Sequence, residues 1–306
     1  MPAEGIHLTA LREAASSARL DAHVRQRLHR HADAARLGAI LVDLPYFHRF
    51  TGEVLRYVAG IPARPSHWGA ALHDGGAVAL LGALIDGARR EHDDTLAAIA
   101  LGLASHCAID RSLHPLINAL AREHRAGKNH DASHREVEKF QSICFHESYM
   151  GRDMMGTSEI TSYLAIRLTE ELPERVVVLV LEAWRRALGT APEPAEFAGY
   201  ARGYRTHVRL LGSPLGKRLA SRAAKDEAKP RYLHGGWGTF AAQLEHAVAA
   251  SVTVLEAVGA ALDASPTDVH AARAALASRL PRGTIDPQGE DVDLAVPFAV
   301  SLRRAS

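Results

Sequence analysis

The 306-residue chain balances 36 basic against 35 acidic residues, a formal net charge of +1, so it lacks the cationic excess of a nucleic-acid binder. Its 47% hydrophobic and 23% charged content supports a sizeable globular core and excludes a disordered chain, while 6% aromatic content leaves few platforms for stacking bases. The start M-P-A-E-G-I-H-L lacks a basic n-region, no run of about 18 consecutive apolar residues occurs, and two cysteines cannot frame a disulfide scaffold. These features predict a cytoplasmic protein with reduced core thiols at Cys107 and Cys144 and no transmembrane segment.

Period-2 runs are scarce and Ala, Leu, Arg and Glu dominate, so the chain reads as all-α. Helices are expected near 5–18, 19–35, 50–60 and 66–88. The first carries His7 near its start, Asp43 ends the apolar run G-A-I-L-V-D, and His73 stands in W-G-A-A-L-H-D. A helix over 93–114 follows, in which His106, Asp110 and His114 succeed one another at intervals of four and share one face. Leu96, Ile99, Leu103, Leu113 and Ile117 continue that stripe, and Pro115 is expected to end or kink the helix. The next helix, 131–150, sets His134 four residues before Glu138, with His130 one turn earlier on what reads as a solvated face.

Later helices are expected over 158–188, 194–211, 214–226, 236–263 and 266–279. Pro173 should start or kink an element inside the first of these, and Val176 to Val180 reads as buried helix. His234 and Trp237 fall in a glycine-rich interhelical turn. The whole of 1–306 is expected to form a single mainly helical domain. Residues 1–150 would bind metal, 151–280 would buttress them, and 281–306 would be an irregular tail.

Of the 18 histidines, 14 lie at or before His146, which locates the chemistry in the first half. A buried carboxylate needs a partner or a metal, and three ionisable groups on one apolar face meet that condition most simply by ligation. Imidazole and carboxylate are ligands of zinc, which in catalytic sites takes three protein ligands plus water. Eight candidates (His7, Asp43, His73, His106, Asp110, His114, His134 and Glu138) therefore imply two or three ions, with Asp110 placed to bridge. Such clustered metals suit phosphoryl chemistry. Arg111, about 100° round the helix, reads as a surface salt-bridging residue. Tyr46, Phe47 and Phe50 read as core packing first, and as an apolar wall of the site mouth second.

Taken in order, G-I-H-L, G-A-I-L-V-D-L-P-Y-F, A-L-H-D, L-G-L-A-S-H-C-A-I-D-R-S-L-H-P and H-R-E-V-E resemble the zinc-dependent phospholipase C family over roughly residues 5–150. That family includes the catalytic domain of glycosylphosphatidylinositol phospholipase D, and single-strand-specific zinc nucleases are distant kin. The resemblance implies an all-α multi-helix bundle, a cluster of up to three Zn2+ ions and hydrolysis of a small-molecule or lipid phosphate ester. By matching positions it implies Asp43, His73, His106 and Asp110 around one zinc, and His114, His134 and Glu138 around a second. His7 with the shared Asp110 would form part of a third, and Asp43 is the implied general base. Secreted members complete the third site with a processed N-terminal residue, whereas here six residues precede His7. The secreted bacterial enzymes also have a longer gap between the residues matching Asp110 and His114. The alternatives are a nuclease or phosphomonoesterase on the same scaffold, or a non-catalytic metal-binding helical protein.

Overall fold

The computed structural model describes residues 4–280 apart from 60, 62–63, 65, 125–129 and 234–236, and among these the regular elements are helical, with no strand. α1 (Glu4–Ser16), α2 (Ala22–Arg30) and α3 (Ala32–Ile40) precede a 3-10 turn at Leu44–Phe47. α4 (Phe50–Val58) and the short α5 (His67–Ala71) lead through a widened turn, Leu72–Gly76, into α6 (Ala77–Glu91). Then come α7 (Asp94–Glu123), α8 (His130–Met150), α9 (Ser158–Leu164), a 3-10 turn at Arg167–Thr169, α10 (Glu174–Leu188) and α11 (Pro194–Leu211). α12 (Pro214–Leu219), α13 (Arg222–Tyr232), α14 (Trp237–Asp263) and α15 (Val269–Ala277) complete the order.

The bundle is organised around α7, which packs against α3, α6, α8 and α14. Asp93 caps its start by accepting from Leu96 N–H at 2.8 Å, and residues 96–110 and 113–121 are buried. Of the two outcomes expected at Pro115, an end or a kink, the helix end does not occur; α7 continues to Glu123. An interior proline costs about 3 kcal/mol. Beyond it, Leu116, Ile117 and Leu120 enter an apolar cluster with Val137, Phe145 and Phe240. Burying each is worth roughly 1.5–3 kcal/mol, so packing outweighs the lost hydrogen bond. The main core cluster extends from Leu8 to Leu276 and so draws on both ends of the described chain.

Glycine sets the closest helix contact. A Cβ on Gly102 would stand 1.9 Å from Ala35 O, and one on Gly38 would stand 2.1 Å from Ile99 O. Backbones of α3 and α7 therefore touch, which brings the Ala39 carbonyl to His106. Gly75, at φ 88°, lets the chain turn between α5 and α6, where one helix over 66–88 was expected.

Other expected spans also divide. The 19–35 span becomes α2 and α3, broken at His31, and α3 runs on to Ile40. The 158–188 span becomes α9 and α10, with Pro173 at the start of the latter as its geometry predicts. The 214–226 span breaks at Ala220, and Ser221 caps α13. Val176 and Val180 are buried but Val178 is 49% exposed, so α10 is amphipathic rather than wholly buried. Cys107 and Cys144 are free and buried. The expected tail 281–306 and His234 lie outside the described residues, as does the Trp237 side chain.

Three stretches, His67–Glu91, Asp94–Glu123 and Phe240–Asp263, are long and apolar enough to cross a membrane by length and composition alone. The expectation of no transmembrane segment rested on uninterrupted apolar runs, and these helices reach a comparable hydropathy with polar residues interspersed. In the second stretch, 89% of the apolar window is buried inside the fold. A helix apolar on every side is accounted for there by the surrounding helices.

His146 on α8 is a buried neutral histidine, packed so closely on Gly5 that a Cβ there would collide with its ring. Burial drives its pKa down to about 4, against a small opposing pull from Glu4. The unfolded chain takes up this proton near pH 6.5 but the folded one does not, so the residue costs stability as pH falls from about 7 towards 4. In urea unfolding at pH 8 and pH 5, the wild type is expected to lose about 2 kcal/mol more than His146→Gln.

Candidate metal centre

The central face of α7 supplies three of the eight candidate ligands, and the neighbouring elements bring the other five to it. His7 comes from α1, Asp43 from the end of the buried run after α3, His73 from the Gly75 turn, and His134 and Glu138 from α8. Asp110 lies at the middle. Its Oδ1 is 3.1 Å from His7 Nε2 and 3.4 Å from His114 Nε2. Its Oδ2 is 2.9 Å from His106 Nε2 and 3.8 Å from His73 Nε2. Asp43 Oδ1 stands 3.5 Å from His73 Nε2, while Glu138 Oε1 stands 3.4 Å from His114 Nε2 and 3.3 Å from His134 Nε2.

Three sets could each hold a cation: His7, His106 and Asp110; Asp43, His73 and His106; and His114, His134 and Glu138. Within each set the ligand atoms lie within 4.8 Å of one another. Two ligands of one tetrahedral zinc, each about 2.0–2.1 Å from it, are about 3.3–3.4 Å apart. The Glu138 separations match that edge.

Every one of these imidazoles points Nε2 inward. His106 Nδ1 donates to the Ala39 carbonyl at 2.8 Å, His73 Nδ1 to the Gly69 carbonyl at 2.8 Å, and His134 Nδ1 to Asn118 Oδ1 at 2.8 Å. A carbonyl oxygen only accepts, so His106 carries a proton at Nδ1 and turns Nε2 to Asp110 Oδ2. At that separation a positive charge must lie between the two atoms, either a second imidazole proton or a metal ion. His106 Nε2, Asp110 Oδ2 and Asp43 Oδ2 are all buried without a hydrogen-bond partner. The donor types and these orphaned atoms fit zinc.

The electrostatics agree. Burial alone would depress the His106 imidazole, but Asp110 and Asp43 outweigh it and push its pKa up to about 9. His73 is raised in the same way, burial being outweighed by Asp43 and Asp110. Burial would raise the Asp110 carboxyl, yet His106, His114 and His7 hold it well below the usual carboxylate range. Glu138 is likewise held low, against burial, by His134 and His114. The centre is an electrostatic sink for positive charge, filled by protons or by metal.

Exposure defines a mouth. The side chains of His73, His134 and Glu138 keep 16%, 12% and 12% of their surface, while the other five retain 5% or less. Tyr46, 38% exposed, stands beside His73 with ring centroids 5.6 Å apart. Phe47 and Phe50 instead pack in the core against His207, so only Tyr46 of that trio borders the mouth. His130 Nε2 reaches the same Asn118 Oδ1 at 3.1 Å, so His130 and His134 share one acceptor.

Asn118, four residues after His114, was missed in the sequence, although that spacing on the same face is the signal that finds it. The buried Glu4–His207 pair, which ties α1 to α11, had no local signal because its members are 203 residues apart. Asn118→Leu removes the acceptor that orients His134. It is expected to weaken metal binding about 10–100-fold, read by competition with a chromophoric chelator.

The family model described as zinc dependent phospholipase C matches residues 6–188. No curated protein and no solved structure matches the chain.

Proposed function

We propose, from the premise that the chain belongs to the zinc-dependent phospholipase C family, that it is a metal-dependent hydrolase of phosphate esters of the phospholipase C type. The observation that carries this reading is Asp110, buried and shared between imidazoles through both oxygens. Asp43, His73, His106 and Asp110 would hold one zinc, His114, His134 and Glu138 a second, and His7 with Asp110 part of a third. Bound zinc lowers the pKa of a coordinated water to about 7 and polarises phosphoryl oxygens.

The chain's own residues do the rest. Asp43 Oδ2, with no hydrogen-bond partner, is the atom placed to accept a proton from the attacking water. His7 and His106, stacked with ring centroids 4.1 Å apart, form the floor of the centre and keep bulk water from it. The substrate phosphate approaches across His73, His134 and Glu138, with Tyr46 at the rim. Lipid phosphate esters suit this family, and we propose a cytoplasmic setting.

The test is turnover by zinc-loaded protein on a bis-aryl phosphate, phosphatidylcholine and single-stranded DNA. Hydrolysis of the first two, lost about 100-fold or more in kcat for Asp43→Asn, is expected. Cleavage of DNA alone, or no turnover with zinc bound, would overturn the reading.

A further inference from the structure

The face of α7 turned away from the metal centre borders a groove of about 350 Å3. α7 lines it with Ala108, Arg111 and Ser112, and α14 lines it with Ala250, Thr253 and Val254. Each trio follows i, i+3, i+4 spacing, so the groove runs between one stripe of each helix. Ala108 and Ser112 stand two residues either side of Asp110, about 200° round the helix from it, which puts the groove behind the ligand face. Arg279 and Leu280, just beyond α15, complete the lining.

This lining is apolar and cationic. Ala108 and Val254 are buried, Ala250 and Leu280 half-buried, and the charged groups among the described lining residues are the two arginines. Arg111 is half-buried, and Arg279 is held towards α14 by donating from Nη1 to the Thr253 carbonyl at 3.4 Å. A matching occupant carries carboxylates next to apolar side chains.

The segment that leaves the groove at Leu280 has that composition. Residues 281–293 contain Asp286, Glu290, Asp291 and Asp293 against Arg282 alone, a balance of −3 in a chain whose total is +1. Ile285, Val292, Leu294 and Val296 accompany them. Prolines at 281, 287 and 297 oppose a helix, so these apolar residues cannot gather into a helical stripe of their own and need a surface elsewhere. Asp286 follows Leu280 by six residues, a reach of about 20 Å when extended, which is ample for a groove of this size.

We propose that the C-terminal segment 284–296 docks in the groove of its own chain between α7 and α14, with its carboxylates on Arg111 and Arg279 and its apolar residues on Ala108, Ala250 and Val254. It then straps α7 to α14 from behind, along the stretch that presents His106, Asp110 and His114.

The test is hydrogen–deuterium exchange of the full-length, zinc-loaded protein, read over residues 284–296 against a synthetic peptide of that sequence. In the wild type those amides should exchange at least about tenfold more slowly than in the peptide, and less so in high salt. Arg279→Glu should bring exchange to within about threefold of the peptide rate, as should Asp291→Lys combined with Asp293→Lys. Joining all three substitutions sets opposite charges face to face again and should recover part of the protection, which mere damage to the fold would not do. Peptide-rate exchange in the wild type, unchanged protection in Arg279→Glu, or no recovery in the triple variant would overturn the proposal. Protection that rises over an about hundredfold increase in protein concentration would also overturn it, assigning the groove to the C-terminal segment of a second copy.

Discussion

Asp110→Asn is expected to remove the zinc that Asp110 would share with Asp43, His73 and His106, and to lower folding stability by about 3–5 kcal/mol at neutral pH. The asparagine keeps the shape of the side chain but offers one lone-pair oxygen and one N–H2 where the native residue presents two anionic oxygens. Those oxygens serve His7 and His114 on one side and His106 and His73 on the other. Removing one member of a buried charged network leaves the others uncompensated, which costs more than the pair contributed. The effect has a pH signature. The folded pKa of Asp110 lies below its unfolded value of about 3.9, so its stabilisation is present above that value and lost as pH falls through the folded one. The penalty of the variant, measured by urea unfolding in chelator, should therefore be full at pH 7 and shrink below about pH 4. A variant that retains metal and native stability would refute the bridging role.

Removing metal from the wild type should have the second largest effect. An ion that binds only the folded chain, held at about a thousand times its dissociation constant, adds about 4 kcal/mol. At about 2 °C per kcal/mol for a chain of this size, each ion contributes about 8 °C to Tm. Calorimetry with excess chelator and with zinc measures this directly. Metal-free protein should also respond to pH in a characteristic direction. His106 and His73 have folded pKa values raised above the unfolded 6.5, so the stability they lend is complete below pH 6.5 and is lost as pH rises towards about 9. Zinc competes with those same protons, so its stabilisation grows over the same interval. An unfolding temperature indifferent to chelator at pH 8 would contradict this account.

The spine of the centre was readable in the sequence because four-residue spacing on a helix is a local property. His106, Asp110 and His114 interrupt an apolar stripe, and that mismatch alone indicated a ligand role. His134 and Glu138 followed by the same rule. His7, Asp43 and His73 were identified by their order with the other motifs, since no spacing connects them to α7. What places them is long-range. His73 reaches the centre because Gly75 adopts φ 88° and turns a span that reads as one helix. The Ala39 carbonyl reaches His106 because Gly38 and Gly102 let two backbones touch. Neither contact leaves a periodic trace. At Pro115 local propensity favours a helix end, while the apolar residues beyond it found partners on α8 and α14 that only the tertiary fold supplies.

The most direct test of the central claim is to count and locate zinc in the purified protein, by elemental analysis and by anomalous diffraction at the zinc edge. The account predicts at least two ions per chain, one among Asp43, His73, His106 and Asp110 and one among His114, His134 and Glu138. A chain that binds no zinc, or that binds one ion away from Asp110, would contradict it.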